Sequence, residues 1–252
     1  MPPTVVLTTS SGTLPGLAEA LRQVPLPVEE CPLLSFAPPL DWGPLDGALN
    51  EVARYDAIAL TSPRAARAFA ERWRARVGEK ASLPPVWAGG PGTVAALAEV
   101  TTAVRGPSAD AVGERGSATA LAAAMLEAKV RGPVLFPCGE VRREELAAHL
   151  RAEGIEVEEI ACYRSMLAGE NAAREAAARA GVLVVASPTV ADLLARACPP
   201  GVRPALVAVG PTTAASARAS GWRPDAVAPR PTVEALVGTV RSLIAAGPGR
   251  RE

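Results

Sequence analysis

The chain has 252 residues, 49% of them apolar and 21% charged, which is enough to bury a core in one large domain or two small ones. Lys plus Arg equals Asp plus Glu, so there is no dominant basic field for bulk nucleic-acid binding. The opening MPPTVVLTTSSG carries no basic stretch, and no segment approaches the ~20 continuous apolar residues of a membrane span, so a cytoplasmic protein is expected, with no membrane partner.

From the N-terminus onward, short apolar runs alternate with Ala-, Leu- and Arg-rich helical stretches. The runs are Val5–Leu7, Ala57–Leu60, Pro85–Ala88, Val134–Phe136, Val182–Val185 and Ala205–Val209. Each is brief, continuous and followed by Gly, Ser, Thr or Pro, the pattern of a strand buried on both faces of a parallel sheet. Strand–helix alternation predicts an α/β fold with helices covering both faces.

The order contains a repeat. TVVLTTSSGTLPGLAEALRQVPLPVEECPLLSF, residues 4 to 36, returns as PVLFPCGEVRREELAAHLRAEGIEVEEIACYRS, residues 133 to 165, each reading strand, helix, strand. A second unit, AIALTSPRAARAF with VWAGGPGTVAALAEV and TTAVRG, returns as VLVVASPTVADLL with ALVAVGPTTAASARASG and DAVAP. Helices over Ala118–Ala128 and Val233–Ala245 close the two copies. Two small doubly wound domains of about five strands each follow. The repeat leaves open whether each first unit pairs with the unit that follows it or the chain crosses over. The Pro-rich stretch Ala37–Pro44 and its counterpart Ser165–Asn171 read as linkers lying side by side.

Open parallel sheets bind ligands beyond the carboxyl ends of their strands. The residues there are Thr8–Ser11, Thr61–Arg64, Gly89–Thr93, Pro137–Arg142, Ala186–Thr189 and Gly210–Thr213. Each segment opens a helix, where Ser or Thr caps and Pro suits the first position. The same helix starts present backbone N–H groups that suit a carboxylate or phosphate. Capping alone explains any one of them; the set together would line a cleft.

Familiar catalytic patterns are missing from the sequence. It has no GxGxxG after a strand, no GxxxxGK[ST], no GxSxG and no HExxH. The single histidine, His149, falls in a helix over Glu144–Arg151 and reads as solvated. Cys31, Cys138, Cys162 and Cys198 include no CxxC pair, so no metal site is expected and buried, reduced thiols are. Tyr163 ends a strand over Ile155–Cys162, beside the linker, where the first copy of the repeat has Leu34. Its position suits a specialised use and a wet strand-end tyrosine about equally.

At these residues the chain resembles the uroporphyrinogen-III synthase family. The matching segments are Tyr55-Asp56 before a strand ending Thr61-Ser62-Pro63-Arg64-Ala65; Gly89 to Thr93; Phe136-Pro137-Cys138-Gly139 with Arg143-Glu144; Cys162-Tyr163-Arg164; Ala186-Ser187-Pro188; and Val209-Gly210-Pro211-Thr212-Thr213-Ala214. They span nearly the whole chain in the family's order. Many relatives carry Thr-Arg where this chain has Thr8-Thr9.

The resemblance implies two flavodoxin-like domains joined by a two-stranded linker, with a cleft between them. Residues 38–163 would form a middle domain inserted into an outer one of 1–36 plus 166–247, leaving a tail at 248–252. It implies a cofactor-free lyase that cyclises hydroxymethylbilane, a linear tetrapyrrole polycarboxylate, with inversion of ring D and loss of water. Tyr163 would assist departure of the hydroxyl. Thr9, Ser62, Arg64, Gly92, Thr93, Ser117, Gly139, Ser187, Thr212 and Thr213 would hold the substrate. A monomer that takes its substrate from the preceding pathway enzyme is expected. A non-catalytic anion-binding protein would use the same loops; a nucleotide transferase would need a diphosphate loop or acidic metal ligands, and the sequence has neither.

Overall fold

The computed structural model describes residues 3–10, 12–23, 26–77, 82–115, 117–142 and 144–246, the side chains of 113–115 and 117 excepted. The chain separates into two compact units, one of Met1–Ser35 with Met166–Glu252 and one of Phe36–Ser165.

In the first unit, strands β1 (Val5–Leu7) and β2 (Val28–Glu30) flank helix α1 (Leu17–Arg22). The sheet is completed much later in the chain by β9 (Val182–Val185), β10 (Ala205–Ala208) and β11 (Ala226–Val227), in the spatial order β11-β10-β9-β1-β2. All the pairings are parallel. Alternate side chains feed two cores. Val5, Leu7, Val182 and Val184 pack with Leu17, Leu21, Leu236 and Val240 on one face, where α11 (Val233–Ala246) lies. Val6, Leu183, Val185 and Leu206 face the other core, with α8 (Glu170–Arg179), α9 (Pro188–Ala197) and α10 (Pro211–Ala219).

The second unit contains β4 (Ala57–Leu60), β5 (Val86–Ala88), β6 (Val104–Arg105), β7 (Val134–Gly139) and β8 (Val157–Leu167). With β3 (Leu34–Ala37) they form a sheet in the order β3-β8-β7-β4-β5-β6. Helices α2 (Gly43–Asn50), α3 (Pro63–Arg76) and α4 (Pro91–Leu97) cover one face. On the other lie α6 (Ser117–Glu127) and α7 (Glu145–Ala152), with α5 (Ala109–Arg115) preceding α6. Helix α3 shows why the sequence folds locally as it does. Ser62 caps it, Pro63 takes the first position, and Ala65, Ala66, Phe69, Ala70 and Trp73 recur on one buried side.

The repeat is visible in the register. Val5 faces Val28 across β1–β2, and Val134 faces Val157 across β7–β8, equivalent partners in the two copies. Within the first unit the spatial order is the doubly wound 2-1-3-4-5, and the second unit keeps that order with the chain cut at a different place. The point where strand order reverses therefore lies between β1 and β9 in one sheet and between β7 and β4 in the other.

Two boundaries differ from the sequence expectation. Strand β8 does not stop at Cys162; it runs on to Leu167 and places Tyr163 in its interior. The paired connecting segments are β3 and the end of β8, not Ala37–Pro44 and Ser165–Asn171, because α2 already begins at Gly43 and α8 at Glu170. The reason is backbone satisfaction. Ser165–Leu167 is exposed and buries neither Met166 nor Leu167, but the Ala168 N–H donates to the Leu33 carbonyl at 2.9 Å and the Ser35 hydroxyl to the Met166 carbonyl at 3.4 Å. In the first copy the corresponding strand is broken at Cys31–Leu33, where Pro32 supplies no N–H.

Candidate active site

In the second unit the carboxyl ends of β4 and β7 open at the reversal point, and the residues there converge. Ser62 Oγ accepts from the Ala65 N–H at 3.0 Å, so its hydroxyl serves the helix it caps. Arg64, in the first turn of α3, lays its guanidinium over the ring of Phe36 from β3, 3.3 Å from the centroid. The same guanidinium is 5.9 Å from the ring of Tyr163, which meets Phe36 edge to face at 5.8 Å and 73°. Burial holds Arg64 below the ordinary arginine pKa; Arg67, one turn on, pushes the same way and Tyr163 opposes it. Among the described residues Arg64 makes no ion pair and Tyr163 Oη makes no hydrogen bond. A cavity of about 250 Å³ opens beside them, with Trp42, Arg67 and Glu71 in its walls.

Gly139 explains the position of Tyr163. The two face each other across a bulge in the β7–β8 pairing, and the Glu140 N–H donates to the Tyr163 carbonyl at 2.9 Å. A Cβ on Gly139 would lie 2.7 Å from Tyr163 Cζ and 2.8 Å from its Oη. The phenol therefore rests on a bare α-carbon. Gly92 has a comparable but milder part, because a Cβ there would come 3.2 Å from Pro63 Cγ where the first turns of α3 and α4 meet. Thr93 is buried within that contact and its N–H goes to the Gly90 carbonyl at 3.0 Å.

The loop after β7 is fixed to β8 by charge. Glu159, 10% exposed, accepts from Arg142 at 2.6 Å and pairs with Arg151 at 2.8 Å. The Arg142 hydrogen bond, with Arg151 adding to it against the cost of burial, holds the Glu159 carboxyl below its ordinary value. Its contribution to stability is thus present above the unfolded carboxylate pKa of about 4.3 and lost as pH falls through the lowered folded value. Glu159→Gln is expected to destabilise the chain by about 1–2 kcal/mol at pH 7. In urea unfolding the gap from wild type should narrow as the pH drops below 4; a pH-independent gap would show that ionisation is not what matters.

In the first unit the expected residues also sit at strand ends. The Thr8 hydroxyl and N–H are both spent on the Val184 carbonyl, at 3.0 and 3.1 Å. Thr9 lines a polar cavity of about 260 Å³ with Ser10, Arg22 and Glu30. Ser187 stands at the N-cap of α9 yet makes no side-chain capping bond. Thr212 is exposed in the first turn of α10, whereas the Thr213 hydroxyl donates to the Ala186 carbonyl at 3.0 Å and is structural. The Ser117 side chain, Arg143 and the tail 248–252 lie outside the described residues.

The model of the family described as uroporphyrinogen-III synthase HemD matches residues 16–238. The chain belongs to the uroporphyrinogen-III synthase family. A uroporphyrinogen-III synthase from Synechococcus elongatus is 29% identical over 166 residues, an alignment that spans 64% of this chain and 60% of that relative. The fold is shared with a crystallised uroporphyrinogen III synthase variant from the extreme thermophile Thermus thermophilus, at 18% identity, TM-score 0.62 and coverage of 95% of this chain and 98% of that one. It is shared too with the Helicobacter pylori 26695 uroporphyrinogen-III synthetase, at 16% identity, TM-score 0.58 and coverage of 95% and 99%. Among the described residues no helix is long and apolar enough to cross a membrane.

Around this synthase-family site several polar groups are structural. Cys138 and Cys162 are buried, and burial pushes their thiols up to about 11 and about 12, which keeps them protonated and inert. Cys162 Sγ donates to the Cys138 carbonyl at 3.2 Å, bracing the strand that carries Tyr163. His149 is exposed, with Nδ1 2.6 Å from the Glu145 carbonyl. Tyr55, just ahead of β4, donates to Glu158 near the start of β8 at 2.6 Å. Sequence reasoning missed Phe36 and Arg67, because the signal for both is spatial. Phe36 reaches Arg64 only through the β3–β8 pairing, and Arg67 reads as an ordinary solvated helix arginine.

Proposed function

We propose that this chain is a cyclising lyase that converts hydroxymethylbilane to uroporphyrinogen III, inverting ring D and releasing water, in haem biosynthesis. The observation that carries the reading is the family match over residues 16–238. The reaction asks little of acid–base residues, since the pyrrole nitrogen expels the hydroxyl and leaves an azafulvene cation. Attack on that cation from the substituted carbon of ring D gives a spiro intermediate that fragments and recloses in the inverted sense. The protein's part is to bring that carbon to the cation, bind the carboxylate arms and keep water away.

The residues support this division of work. Tyr163, its hydroxyl uncommitted, donates a hydrogen bond to the departing oxygen. Arg64 takes a carboxylate arm. The Ser187 and Thr212 hydroxyls and the helix starts behind them receive other arms, as does the loop bearing Thr9. Ser62, Gly92, Thr93, Gly139 and Thr213 shape the loops from which backbone N–H groups reach the substrate. The protein acts as a cytoplasmic monomer, without a cofactor, on a bilane handed over by the enzyme that makes it.

The test is an isomer assay. Fresh hydroxymethylbilane is incubated with and without the protein, oxidised, and the type I and type III porphyrins separated. A shift to type III supports the reading; unchanged type I product from folded protein overturns it in favour of a binding protein. Tyr163→Phe is expected to lower kcat about tenfold, a small share for a group that donates to the reacting oxygen. Its unfolding free energy should stay within about 0.5 kcal/mol of wild type, because no hydrogen bond is lost.

A further inference from the structure

The arrangement around Arg64 assigns a role to Phe36, and that role rests on the synthase reading. A guanidinium carbon 3.3 Å from a ring centroid is reached only face-on, so one face of Arg64 is covered and its N–H donors point outward in the plane of the fork. Tyr163 meets the same ring at its rim, edge to face, beside the guanidinium. Arg64 is partly buried and has no carboxylate partner among the described residues; Glu71, in the wall of the same cavity, is not within ion-pair reach of it. Keeping a partly desolvated charge without a counter-ion is costly, and the ring face offsets part of that cost. What remains among the described residues is a half-buried cation with no counter-ion, held beside a phenol that makes no hydrogen bond.

We propose that Phe36 is a positioning residue, whose ring fixes the Arg64 guanidinium so that its fork takes a carboxylate arm of the tetrapyrrole next to the Tyr163 hydroxyl. Phe36 itself touches no reacting atom. Its effect passes through Arg64, and so it should govern substrate capture more than the chemical step.

The experiment is steady-state kinetics of the full chain on hydroxymethylbilane, with isomer analysis and thermal unfolding, for wild type, Phe36→Leu, Phe36→Tyr, Arg64→Gln and the Phe36→Leu/Arg64→Gln double variant. Phe36→Leu is expected to raise KM about fivefold with kcat within about twofold of wild type, the scale of one cation–π contact. Phe36→Tyr, which keeps the ring face, should restore KM. In the Arg64→Gln background the Phe36→Leu change should add nothing further. Phe36→Met gives the same test should the leucine variant melt early. An unchanged KM, a fall in kcat alone, or additive effects in the double variant would overturn the positioning role while wild type still makes type III product. Type I product alone from wild type would overturn the synthase reading, and this inference with it.

Discussion

Gly139→Ala is expected to cost about a hundredfold in type III formation, more than deleting the Tyr163 hydroxyl outright. The added Cβ would sit 2.7 Å from Tyr163 Cζ, closer than carbon atoms approach, so the ring must leave its seat. Phe36 packs against it edge to face and Arg64 lies over Phe36, so a shift of the ring into the neighbouring cavity disturbs both. The whole cluster moves with the phenol, whereas Tyr163→Phe leaves every ring in place. Overpacking of this kind also costs about 1–3 kcal/mol of stability. Gly47→Ala is the control. It lies inside α2 with nothing within 4 Å of the new Cβ, and should be neutral or stabilising by up to about 1 kcal/mol, with activity unchanged. Equal activity of Gly139→Ala and wild type would show that the seat of Tyr163 does not matter to the reaction.

Phe69→Ala is expected to destabilise the chain by about 3–5 kcal/mol in urea unfolding. Phe69 is fully buried in the core beneath α3 and stacks on Trp73 with centroids 6.3 Å apart. Its removal leaves a void under the helix whose first turn carries Ser62 and Arg64, so activity should fall with stability. A loss below about 1 kcal/mol would mean that the core refills the space, and that α3 is held elsewhere.

Much of this was readable from residues alone. Continuous apolar runs such as Ala57–Leu60 and Val182–Val185 read as strands buried on both faces, and both are strands with those bounds. The Ser-Pro at 62–63 announced a capped helix, and Ser62 does cap α3. Ser187-Pro188 announced another, yet Ser187 makes no such bond, which leaves its hydroxyl free for other use. The motif is the same in both cases, and only the structure separates them.

Local order and repetition were thus properties of the sequence, because burial of an apolar face and the chemistry of a helix start act over a few residues. Pairing at a distance was not. That β1 lies beside β9 and β4 beside β7 depends on which edges meet, and two copies of one repeat offer equivalent edges. The length of β8 was hidden as well, since its last three residues are exposed and that end is tied down by the Ala168 N–H to the Leu33 carbonyl and the Ser35 hydroxyl to the Met166 carbonyl, bonds between residues more than a hundred positions apart. For the same reason Arg64, Gly139 and Tyr163 could be named singly in advance. Only the folded chain brought them onto one another around Phe36, because stacking and close approach are made between strands that the sequence keeps far apart.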